Sequence, residues 1–169
     1  MKSLFLRLSL ATLLAVGAFA QTKVGIINTQ KALLDTAEIK KAQVDLEAKY
    51  KPRTDALKKL DTELQDIQAR LSAGAGKLTP QVEADLQTQG QRKQRDLQRG
   101  QEDLQGDVER DRQEILARAG QRMQDVIKKL AEEKGLDVVI DTSTTIYFKP
   151  ALDLSADATL AYDKAHPAK

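Results

Sequence analysis

The sequence predicts a mainly α, α+β fold: a small β body carrying one long, protruding antiparallel α-helical hairpin. Three observations predict it. Leu57, Leu60, Leu64, Ile67 and Leu71 are spaced 3, 4, 3 and 4, the a/d seam of a coiled coil. Beyond a turn at Gly74-Ala75-Gly76, Leu97, Leu104, Val108, Ile115, Ala119, Met123, Val126 and Leu130 carry a related rhythm back. Short β-branched runs flank this pair at Val24–Asn28 and Leu136–Asp141. Helices of roughly 60 and 80 Å cannot be enclosed by a chain of 169 residues, so they project and the remainder holds them.

Taken in order, residues 1–20 read as a secretory signal peptide. Lys2 and Arg7 precede the apolar run Leu8–Val16, and Ala18-Phe19-Ala20 is a small-x-small cleavage site. Residues 21–30 and 135–169 are assigned to the β body, and 31–134 to the hairpin, with its tip near 72–79. Lys23–Asn28 reads as a strand, with Asn28 or Thr29 capping the next helix. That helix is expected to kink or break near Tyr50–Pro52, because proline removes a backbone hydrogen bond and clashes with the preceding turn. At the tip, Thr79 is placed as N-cap and Pro80 at the first helical position.

The descending helix is rich in Gln, Arg and Gly from Gln87 to Gly106. Gly90, Gly100, Gly106 and Gly120 each weaken a helix by about 1 kcal/mol relative to alanine. Pro52 and Gly100 are accordingly assigned as a hinge. Gly135 is expected to end this helix in the left-handed conformation. A β-hairpin is then expected from Leu136–Asp141 and Thr144–Phe148, ended by Pro150. Ser155 is expected to cap a short last helix that contributes Leu160 and Tyr162. A three-stranded base leaves two open edges around a small core, which copies of the chain would close. Ile26, Val138, Val139 and Ile140 are therefore placed in an oligomerisation body.

Charge and composition narrow the function. The chain has 27 Lys+Arg and 25 Asp+Glu; loss of Lys2 and Arg7 with the leader leaves 25 of each. A neutral mature chain gives no ground for nucleic-acid binding. Between Lys49 and Gly100, however, 11 basic residues stand against 7 acidic ones. Lys58, Lys59, Arg92, Lys93, Arg95 and Arg99 are the candidate contacts on this basic stretch of the arm. Without cysteine there is no disulfide framework. The single histidine, His166, stands near the terminus, and no nucleophile, base and acid or metal-ligand set can be assembled. No enzyme activity, cofactor or metal is expected.

The exported leader, Val24-Gly25-Ile26-Ile27-Asn28, the long polar hairpin, Gly135-Leu136-Asp137-Val138-Val139-Ile140-Asp141 and Leu152-Asp153-Leu154-Ser155-Ala156-Asp157 together resemble the Skp (OmpH-like) periplasmic chaperone family. The resemblance implies a jellyfish-shaped homotrimer, with a β body and three helical tentacles. It implies an ATP-independent periplasmic holdase that binds unfolded outer-membrane β-barrel proteins in the cavity between the arms. Contact with lipopolysaccharide or an anionic membrane is a further partner the sequence leaves open. The alternative is a cell-envelope coiled-coil spacer or adaptor. Such a protein calls for a continuous apolar seam, and Gln87–Asp96 contains no large apolar residue.

Overall fold

The computed structural model describes residues 22–168; the expected signal peptide and its cleavage site lie outside them. The element order is β1 (Val24–Ile27), α1 (Thr29–Leu34), α2 (Ala37–Ala73), α3 (Pro80–Lys134), β2 (Val138–Asp141) and α4 (Ser155–Ala165), with 3-10 turns at Thr142–Thr144 and Pro150–Leu152. Helices α2 and α3 form the hairpin. At 37 and 55 residues they are about 55 and 80 Å long.

The two strands lie side by side in parallel, with Val24 opposite Val138 and Ile27 opposite Asp141. A parallel pair needs a long crossover, and the outgoing and returning helices supply it. On the far side of β1, Ile26 forms a bridge with Asp153, and the Leu154 amide donates to the Ile26 carbonyl at 2.8 Å.

The expected β-hairpin does not form. The Asp141 side chain accepts from the Ser143 amide at 2.8 Å, and the Thr144 hydroxyl donates to the Asp141 carbonyl. These bonds wind Thr142–Thr144 into a tight turn. Thr145–Phe148 then runs on with Ile146 and Tyr147 facing solvent. The base is thus a two-stranded sheet with a bridge, not three strands in a meander.

One core joins the arm to the base. Ala119, Met123, Val126 and Leu130 recur at 4, 3 and 4 along one face of α3. They meet Ile27, Ala32 of α1, Ile39 of α2, and Ala158 and Tyr162 of α4. Ser155 does not cap α4 as expected. Its amide donates to Asp153 Oδ1 at 2.9 Å and its hydroxyl to the same atom at 2.6 Å. The Ser155 hydroxyl in turn accepts from the Asn28 amide at 2.8 Å, so Asp153 and Ser155 tie β1 to α4.

The break in the ascending helix is not at Pro52. It falls at Asp35–Thr36, where buried Thr36 accepts from the Ile39 amide and starts α2. Helix α2 then passes through Pro52 without interruption. The φ fixed by proline suits a helix, and only one amide donor is lost. At the tip, Gly76 takes a positive φ of 74°, and Thr79 and Pro80 start α3 as expected. Gly135 ends it with φ 61°, and the Leu136 amide reaches back to the Ala131 carbonyl.

Candidate functional site

Two surfaces stand out once the fold is assembled: an apolar one on the base and a mixed one along the arm. On β2 the side chains alternate, so Val139 faces the core while Val138 and Ile140 are 40% and 36% exposed. Ile26, opposite Ile140 in the parallel register and on the same face, is buried. Beyond β2, the exposed large apolar side chains of the base are Ile146, Tyr147, Leu152 and Leu160. Among the described residues, strand β2 pairs on one side only. Its outer edge offers unpaired backbone and these side chains offer exposed apolar area, two properties that favour association.

The seam of the arm is thin. Its buried residues are Tyr50, Leu64 and Ile67 on α2 and Leu86 and Leu97 on α3, with half-buried Leu57, Leu60 and Leu104 between them. Gly90 and Gly100 fit this seam more closely than a softening role requires. A Cβ at Gly90 would touch Ile67 at 3.4 Å, and one at Gly100 would meet Leu57 Cδ2 at 2.5 Å. Gly100 therefore admits Leu57 to the seam.

Polar bridges compensate where apolar contact is sparse. At the level of Pro52, Tyr50 donates its hydroxyl to Asp111 at 2.7 Å, and Lys49 reaches the same carboxylate. Arg53 pairs with Asp107 at 2.6 Å, and Arg110 joins Asp107 at 2.8 Å. The Lys49 and Tyr50 hydrogen bonds hold the Asp111 carboxyl below the usual carboxylate range. Bonds from Arg53 and Arg110 do the same for Asp107. Pairs this open to water add little stability individually, but they fix which faces of α2 and α3 meet.

A second polar knot lies at the root of the arm. Arg122 of α3 pairs with Glu38 of α2 at 3.0 Å, and the buried Tyr162 of α4 donates to the same carboxylate at 2.6 Å. Burial, with the bond to Glu38 added, pushes the Tyr162 phenol up to about 12. Three helices are therefore locked at one carboxylate. Sequence reasoning missed both polar groupings. Their partners across the helices lie 54 to 124 residues apart, and a charge on a helix face carries no mark of its partner.

Of the basic residues singled out on the arm, Lys58, Lys59, Arg92, Arg95 and Arg99 are exposed. Lys93 is half-buried and pairs with Glu63 across the hairpin at 2.5 Å, so it braces the arm. Among the described residues no group of three or more His, Cys, Asp or Glu side chains is placed to hold a metal ion. No helix among them is long and apolar enough to cross a membrane.

Residues 23–159 match the family model described as "Outer membrane protein (OmpH-like)". The chain is 26% identical over 152 residues to the Skp-like protein of Pseudomonas aeruginosa, covering 89% of this chain and 90% of that one. It is 28% identical over 159 residues to the chaperone protein Skp of Salmonella typhimurium, covering 93% and 96%. With the chaperone protein Skp of Escherichia coli K12 it shares 26% over 159 residues, at the same coverage. Its fold is similar to the crystal structure of an OmpH-like protein from Caulobacter crescentus CB15. The TM-score is 0.72 at 20% identity, over 88% of each chain.

Proposed function

This chain belongs to the OmpH-like family, and on that premise we propose that it is an ATP-independent holdase of the periplasm. It binds unfolded outer-membrane β-barrel proteins in the space between its arms and keeps them from aggregating. The observation that carries this reading is the division of the chain. The apolar core that anchors the helices is confined to the base, and the hairpin beyond it presents a thin seam and a largely polar surface. An arm built this way suits many weak, reversible contacts better than one tight groove. Three copies joined through their bases would set three arms around one cavity. Val138, Ile140 and the open edge of β2 support that assembly. Exposed Lys58, Lys59, Arg92, Arg95 and Arg99 would attract acidic clients and raise the capture rate more than the final affinity. Catalysis forms no part of this function.

The test is light scattering from a β-barrel protein diluted out of urea without nucleotide. Suppression by near-stoichiometric trimer is the expected result. An unchanged aggregation rate at a threefold excess of trimer would defeat the holdase reading and favour a spacer.

A further inference from the structure

Between the two helices, just beyond the base, lies a hollow of about 500 Å³ that the chain does not fill. Its floor is apolar: Leu46 and Tyr50 of α2 face Val108, Ile115 and Leu116 of α3. The hollow belongs to one side of the seam. At 100° per residue, the α2 lining residues Gln43, Glu47, Thr54 and Lys58 fall about 40–100° to one side of Ile39. The ion pairs Glu38–Arg122, Lys49–Asp111, Arg53–Asp107 and Glu63–Lys93 join α2 to α3. Their α2 members fall about 40–120° to the other side. These bridges therefore close one face of the hairpin and leave the face with the hollow open.

The dimensions of the hollow narrow what fits. Its α2 lining runs from Ile39 to Lys58, about 28 Å along the axis, and its short side chains Ala42 and Thr54 stand about 18 Å apart. Spread over that length, about 500 Å³ leaves a cross-section of roughly 18–28 Å². A peptide strand takes about 4.8 Å by 10 Å, or ~48 Å², and a helix about 10 Å across is larger still. Neither an extended peptide nor an arm of a second copy can lie in it. One unbranched hydrocarbon chain, only as wide as a methylene group, can.

Charge at the mouth narrows the occupant further. Lys51 pairs with Asp55 at 3.2 Å. Lys58 and Arg112 also line the hollow, exposed and in no ion pair among the described residues. Glu47 is the remaining acid of the lining, so cations exceed acids. Lys58 stands at the end farthest from the base, with no apolar floor beyond it.

We infer that this hollow binds one aliphatic chain with an anionic head, of the class of a free fatty acid. The chain lies along Val108 and Ile115 toward the base, and the carboxylate meets Lys58. A single chain fills the hollow, so the ligand is a monomeric amphiphile and not a bilayer surface. Such binding needs no client.

The test is calorimetric titration of the full-length protein with straight-chain acids of eight, ten and twelve carbons, each below its micelle concentration. One acid per chain is expected, and binding should tighten roughly twofold to fourfold for each added methylene. Dodecyltrimethylammonium should bind roughly tenfold more weakly than dodecanoate. Lys58→Gln should erase that difference, while Lys40→Gln, outside the hollow, keeps it. Val108→Asn should weaken dodecanoate binding roughly tenfold, and Val44→Asn should leave it unchanged. If Val108→Asn lowers helicity, Leu46→Gln repeats the measurement. No binding, an affinity indifferent to chain length, or equal binding of the two head groups would overturn the inference. Dodecanoate binding that survives both floor substitutions would overturn it by placing the ligand elsewhere. A change of sedimentation in Val108→Asn without added acid would also overturn it, by making the hollow a contact between copies.

Discussion

Met123→Ala should destabilise the protein more than a similar truncation anywhere along the arm. Met123 is fully buried, in the cluster where α3 meets α1, α2 and α4. Truncation removes its thioether arm and leaves a cavity beside Tyr162 and Ile39, which are themselves fixed by the surrounding helices. Met→Ala at such a site costs about 2–5 kcal/mol, and complete burial with little room to collapse argues for about 3. In a chain of this length each kcal/mol lowers Tm by about 2–4 °C, giving a fall of about 6–12 °C. Leu97→Ala is the comparison. Leu97 is buried to a similar class, but it sits in a two-helix seam that can close over the gap, so about 2 kcal/mol is expected. Urea titration followed by circular dichroism at one fixed chain concentration measures both, because assembly adds a concentration-dependent term. If Met123→Ala stays within about 0.5 kcal/mol of wild type, or Leu97→Ala costs more, the base is not the anchor of the arm.

Ile140→Asp places a charge on an exposed residue of the open strand edge. Sedimentation should show folded monomer; an unchanged oligomer would remove the base from the assembly. Changing Arg92, Arg95 and Arg99 together to Gln should flatten the fall in client capture rate as salt rises, since exposed charge is screened over about 8 Å at physiological ionic strength; stopped-flow fluorescence decides it, and an unaltered slope would leave these arginines as solvated surface. Asp141 is held below the usual carboxylate range, first by hydrogen bonding from Thr29 and then from Ser143. Its ionised form therefore stabilises the fold above the unfolded value near 4, and that contribution is lost as pH falls toward the depressed native value. Asp141→Asn should be less stable at pH 7 and should lose less stability than wild type between pH 5 and pH 3; parallel acid limbs would show that the carboxylate does not link pH to folding.

What could be read from the sequence was local and periodic. The 3-4 spacing of Leu57–Leu71 exposed the seam, Thr79-Pro80 marked the start of α3, and Gly135 marked its end; each signal needs only a few neighbouring residues. The errors arose where distant partners decide. Thr144–Phe148 has the β-branched and aromatic composition of a strand, but Asp141 turns the chain before it can pair, and β1 takes the parallel position beside β2. Pro52 signalled a break, yet the helix needed only to forgo one hydrogen bond, with Tyr50–Asp111 and Arg53–Asp107 bracing either side. Thr36, fully buried and bonded to the Leu33 carbonyl, marks the real interruption with no glycine or proline. Gly100 is a weak helix former, and propensity counts only the helix that contains it. Its contact with Leu57 belongs to the other helix. The assembly surface was legible in part. Strand alternation separates Val139 from Val138 and Ile140 once β2 is placed, but burial of Ile26 depends on Asp153 and Leu154 crossing its other side.

The central claim is that the arms, and not the base, hold the client. Leu57 and Gly100 touch across the hairpin, so residues 59–98 can be replaced by a short Gly-Ser loop that closes the arm at that level and leaves the base core intact. Aggregation of a β-barrel protein diluted from urea should then proceed as though no chaperone were present, while sedimentation still reports the assembled base. A shortened protein that suppresses aggregation as well as the full-length chain would contradict the account.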